Sequence, residues 1–106
     1  MSPNVAKCLL VSKVLVADGM MTENERAFLD RAMKGMGLDE NERKKVVNLD
    51  DWDKAEPVVA KLSEQERRDL VSMLVDAASA DGKLSPLELA TVKRITKELG
   101  LEEPKT

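Results

Sequence analysis

The phrase ADGMMTENE, residues 17–25, returns 63 positions later as ADGKLSPLE, residues 80–88. The match extends well beyond the phrase. At the same offset Leu10 meets Met73, Val11 meets Leu74, Val14 meets Ala77, Leu29 meets Val92 and Ala32 meets Ile95, and Met36-Gly37-Leu38 meets Leu99-Gly100-Leu101. A unit this long, present only twice, argues against a solenoid. It predicts two helix hairpins of one design, closed into a bundle in which each covers the other's apolar face.

The hairpins are helical because apolar residues recur at helical spacing, and no stretch alternates with period two between strong β-formers. The first helix is expected over about 3–17, apolar on most sides as suits a central helix. The second, about 23–36, carries Phe28, Leu29, Ala32, Met33 and Met36 on one face and stops at Gly37. Asp39 with Glu42 is a capping pattern that opens a short helix over 40–49, burying Val46 and Leu49. A further short helix is expected over about 57–62, with Pro57 in its first turn. Ser63 with Glu66 caps a long helix running to about 80 and presenting Leu70, Met73, Leu74 and Ala77; the last helix spans 86–99. At 106 residues the chain is expected to be a single domain. Repeat one covers about 5–38, bridging helices about 40–62, and repeat two about 64–101. Trp52, the only tryptophan, sits in the acidic corner DDWD; it could anchor a partner, but a lone tryptophan at a helix junction more often plugs its own core, and that is the expectation.

Composition removes several chemistries. The chain has no histidine and one cysteine, Cys8, among Leu9, Leu10 and Val11. Catalytic triads, histidine-ligated zinc and imidazole acid–base catalysis therefore have no residues to use. Cys8 reads as a buried, reduced thiol in a reducing compartment. With 17 basic and 20 acidic residues the formal charge is −3, and no basic stripe interleaves with aromatics, so nucleic-acid binding is not expected. The longest apolar run, 5–17, is interrupted by Lys7, Ser12 and Lys13 and is too short for a bilayer. The start MSPNVAK lacks a charged n-region, so a cytoplasmic location is expected. No nucleophile–base pair or phosphate loop stands out, and an enzyme is not expected.

Each part of the repeated phrase has a local purpose. Gly19 and Gly82 end the preceding helices, Thr22 and Ser85 are N-caps, and Glu25 and Glu88 reach back to close the capping boxes. Met21 and Leu84 precede the caps as apolar staples. Asp18 and Asp81 fit less well, because an acid at a helix C-terminus opposes the macrodipole unless it bonds loop amides or a cation. Written D-G-x-Φ-[ST]-x-x-E, the phrase matches the second half of a calcium-binding EF-hand loop. The first half fails: its carboxylate positions hold Val14 and Val16 in one copy, Ala77 and Ser79 in the other. One copy offers too few ligands for a tight cage. Weak Ca²⁺ or Mg²⁺ binding with several waters stays open, as does a shared site of Asp18, Glu25, Asp81 and Glu88, while local capping is the more economical account.

Two hairpins, each carrying A-D-G-x-Φ-[ST]-x-x-E and closing with [ML]-G-L, resemble the TerB-like domain of tellurite-resistance proteins and the related N-terminal domain of DjlA co-chaperones. The resemblance covers about 5–101. It implies an all-α, pseudo-two-fold TerB-like bundle in the bacterial cytoplasm, linked to stress from tellurite and other toxic agents. It further implies divalent-cation binding, which falls here on Asp18, Glu25, Asp81 and Glu88, and protein partners associated with the membrane, without direct membrane insertion. No J-domain sequence follows Leu101, so co-chaperone activity is not implied. A second class of function stays open beside this one: a helical adaptor whose acidic or apolar surface docks another protein with no metal dependence.

Overall fold

The computed structural model describes residues 1–17, 19, 21–80 and 85–101. Among them are six α-helices, α1 (Pro3–Leu15), α2 (Glu23–Gly35), α3 (Glu40–Val47), α4 (Ala55–Ala60), α5 (Glu64–Ala78) and α6 (Pro86–Glu98), with a 3₁₀ turn at Trp52–Lys54 and no strand. The expected all-α bundle is what forms. No described helix is long and apolar enough to cross a membrane.

Helix α1 is the axis. Ser2 caps it by accepting a hydrogen bond from the Val5 amide, and Pro3 takes the first helical position, where its missing N–H costs nothing. From Val5 to Leu15 every side chain is buried except those of Lys7 and Lys13, and the helix packs against all five others. Both lysines reach a glutamate on a neighbouring helix, Lys7 to Glu66 of α5 at 4.0 Å and Lys13 to Glu56 of α4 at 3.2 Å.

The second helices of the two hairpins correspond to the residue. Helices α2 and α6 have 13 residues each and stand at matching positions of the repeat. Both stop the same way. The Gly37 amide donates to the Lys34 carbonyl and the Leu38 amide to the Met33 carbonyl, both at 3.1 Å; the Gly100 amide donates to Lys97 at 3.0 Å and the Leu101 amide to Thr96 at 3.1 Å. Gly37 and Gly100 have φ of +72° and +74°, the left-handed conformation of a Schellman stop. Even the side chain that ties each stop down is matched: Asn4 Nδ2 donates to the Met36 carbonyl at 3.3 Å, and Arg67, its repeat partner, donates to the Leu99 carbonyl.

Three details depart from expectation. Segment 40–62 does more than bridge: α3 and α4 lie directly on α1, burying Val46, Ala55 and Val59, so the first hairpin is enclosed by them as well as by the second. Helix α4 starts before Pro57 because the 3₁₀ turn feeds straight into it. Helix α3 stops at Val47, since Leu49 and Asp51 both take φ of +56° and turn the chain sharply; Leu49 is only partly buried.

Candidate functional site

The four carboxylates singled out in the sequence divide into two kinds. Asp18 and Asp81 lie outside the described residues, as do Gly82 and Leu84. Glu25 and Glu88 occupy the third position of α2 and α6, and both are sealed, at 2% and 3% exposure. The Glu25 amide donates to Thr22 Oγ1 at 3.2 Å while Glu25 Oε1 accepts from the Thr22 amide at 2.9 Å, a complete capping box. In the second copy the Glu88 amide donates to Ser85 Oγ at 3.4 Å. Met21 packs against the core, as an apolar staple does.

Burial sets these glutamates apart from an ordinary cap. Asp39 and Glu42 form the same box at the start of α3, with arms of 2.8 and 3.0 Å, yet Asp39 lies exposed and Glu42 only partly covered. Sealing a carboxylate from water is costly unless dipoles or a cation replace the lost hydration. The first-turn amides and dipole of a helix supply part of that replacement.

The donors at each turn are hard carboxylate oxygens with backbone carbonyls nearby in sequence, and no imidazole or thiolate accompanies them. That set fits a Ca²⁺- or Mg²⁺-like ion completed by water and does not fit zinc. Among the described residues no three acidic or sulfur side chains converge on one point.

Trp52 is not a core plug. It is 44% exposed, and the Lys13 ammonium stands 4.1 Å from its ring centroid, a cation–π contact. Leu49, just before the corner, and Asp51, within it, both take positive φ, and the indole lies against Lys13 of α1.

Lys13 opens a charged cluster that sequence spacing did not disclose. Glu56 Oε1 accepts from Lys13 at 3.2 Å and lies 3.9 Å from Arg94, and Arg94 pairs with Glu98 at 3.1 Å. Arg94 thus stands against both Glu56 and Glu98. Burial alone would raise the Glu56 carboxyl, but the bonds from Glu98 and Lys13, with the charges of Lys13 and Arg94, outweigh it and hold Glu56 below its usual value. Glu98 is raised, first by that bond to Glu56, then by burial and the Glu56 charge. The cluster joins α1, α4 and α6 as an electrostatic clasp. The sequence signal for it was Lys13, one of two lysines within the apolar run of α1.

The one cysteine is unreactive by placement. Cys8 is fully buried, its thiol lies 3.6 Å from Met36 Sδ, and burial pushes it up to about 11.

The family model described as tellurite resistance protein TerB matches residues 4–106, essentially the whole chain. No curated protein and no solved structure gives a significant match.

Proposed function

The chain belongs to the TerB family, and from that premise we propose that it is a non-enzymatic, cytoplasmic stress-response protein of the tellurite-resistance type that holds a divalent cation at its two turns. The observation that carries this reading is the matched burial of Glu25 and Glu88, each seven residues after a turn aspartate. A sealed carboxylate in the first turn of a helix, with an aspartate seven residues before it in the sequence, is a pairing that a cation would stabilise. Asp18 with Glu25 and Asp81 with Glu88 would hold the ion; when bound, it neutralises the pair and stiffens the turn. So few protein ligands imply weak binding with retained waters. The absence of histidine and the sealed thiol of Cys8 support a role without catalysis.

Thermal melting tests the reading. EDTA lowers the melting temperature, excess Ca²⁺, Mg²⁺ or Mn²⁺ raises it, and an Asp18→Asn/Asp81→Asn variant responds to neither. A wild-type chain indifferent to both treatments would sink the cation proposal.

The exposure of Trp52 between Asp51 and Asp53 favours a second reading, a helical adaptor that docks a protein partner, membrane-associated as the TerB resemblance implies, with no metal dependence. In that case melting ignores metal, and charge reversal at Asp50, Asp51 and Asp53 removes the partner from a pull-down.

A further inference from the structure

On the side of the molecule where α2 meets α3 lies an open groove of about 440 Å³, within the roughly 300–1,000 Å³ common for binding pockets. Its apolar residues are the exposed Val47 and, beneath it, the buried Met33, and four cations stand around it: Arg26 and Lys34 from α2, Arg43 and Lys44 from α3. On a chain of net charge −3 this is a local reversal of sign.

Two carboxylates also line the groove, but they leave the cations available. Asp30 pairs with Arg26 at 3.1 Å and Glu40 with Lys44 at 3.9 Å, all four side chains at least half exposed, so both pairs are weak and exchange easily for a partner's carboxylate. Arg43 spends only its Nε, on the Leu38 carbonyl at 3.2 Å, and no carboxylate among the described residues engages Lys34. The groove therefore suits a segment that offers one large apolar side chain flanked by several acids.

The chain carries such a segment. The corner at 50–53 presents Asp50, Asp51 and Asp53, all exposed, around the 44%-exposed Trp52, whose ring Lys13 engages on one face. Trp52 does not line the groove of its own molecule. We infer that the protein self-associates head to tail, the acidic corner of one copy seating Trp52 in the α2–α3 groove of the next. Tryptophan laid against Val47 and the aliphatic stems of the groove's cations supplies buried area, and the ring of opposite charges sets register and speeds encounter. Because corner and groove are different surfaces, the contact is heterologous and extends beyond a dimer unless the geometry closes a ring. The inference is independent of cation binding at the turns.

Sedimentation velocity from micromolar to millimolar protein tests it. The wild-type weight-average mass rises with concentration, and added salt weakens association on the order of tenfold between low salt and about 0.5 M. Trp52→Ala and Lys34→Glu/Arg43→Glu each sediment as monomers, with Asp50→Lys/Asp53→Lys as a second corner variant should Trp52→Ala melt early. An equal mixture of a corner variant and the groove variant gives a dimer that grows no further, because one intact corner meets one intact groove. A wild-type chain that keeps the monomer mass throughout overturns the inference and leaves the groove to an acidic segment of a different protein. Variants that associate like wild type, or a mixture that stays monomeric, overturn it equally.

Discussion

Three alanine substitutions within and just beyond the helix stops test the repeat at its most local level. Gly37 and Gly100 hold nearly equal left-handed φ, and both are followed by the same pair of stop hydrogen bonds. A Cβ built on Gly37 meets nothing within 4 Å, and one on Gly100 meets only the Arg67 guanidinium at 3.8 Å, an ordinary contact. The cost of alanine is therefore backbone strain alone. That strain is about 1–2 kcal/mol, offset by about 0.4–1 kcal/mol because glycine loses more freedom on folding. Each variant should lose about 1 kcal/mol, or about 4 °C in melting temperature for a chain of this size. Gly35 lies two residues earlier, inside α2, exposed and with an open Cβ site. Alanine there should gain about 0.5 kcal/mol, since only the propensity term remains. Urea titrations and thermal scans of the three variants read the signs directly. Unequal losses at Gly37 and Gly100 beyond about 0.5 kcal/mol, or destabilisation by Gly35→Ala, would refute the reasoning.

The clasp and the thiol give two further expectations. Glu98, with its carboxyl raised in the folded chain, contributes stability that is full below its unfolded value and lost as pH rises through the folded one. Glu98→Gln keeps the bond to Glu56 and cannot ionise, so its melting temperature relative to wild type should climb from about pH 4 to about pH 7. With the side chain 40% exposed, the change amounts to a few tenths of a kcal/mol, and a flat or falling difference across that range counts against the shared bond. Cys8, sealed and raised to about 11, should resist a thiol reagent at pH 8 in the native chain and react fully in denaturant; prompt native labelling would show that α1 is not enclosed.

What was legible in the sequence was whatever local chemistry decides. Thr22, Asp39, Ser63 and Ser85 each accept from the amide three residues on, as their spacing to Glu25, Glu42, Glu66 and Glu88 foretold. Glycines 37 and 100 stop their helices where expected. Tertiary convergence was not legible. Lys13, Glu56 and Arg94 come together from three helices, and no periodicity connects them. Nor does the pattern of a capping box say whether its glutamate is sealed: Asp39 with Glu42 and Thr22 with Glu25 read alike, yet only Glu25 is buried. Trp52 was misplaced for a backbone reason. Leu49 adopts a φ rare for a branched apolar residue, so its type gave no sign of the reversal before the corner, although Asp51 is of a type that takes positive φ more readily.

The asymmetry between the copies follows from one stretch that the duplication does not include. Segment 40–62 is attached to the first hairpin, and its helices α3 and α4 lie on α1. The demand this places on α1 is visible residue by residue: Ser12 and Cys8 are as fully buried as Leu9, and the two lysines are each met by a glutamate from another helix. Helix α5, at the same place in the second copy, bears Arg68, Asp69, Ser72 and Asp76 on an exposed face. The same turn phrase thus follows an enclosed helix in one copy and a half-exposed helix in the other. Fraying of a helix end depends on what is packed along its length, so α1 should fray less at its C-terminal end than α5 does. Any ligand drawn to the phrase therefore meets one chemistry on two supports. Differences between the copies should then be traced first to the helix before the turn, since both caps that follow it share the bond from the glutamate amide to the hydroxyl three residues earlier.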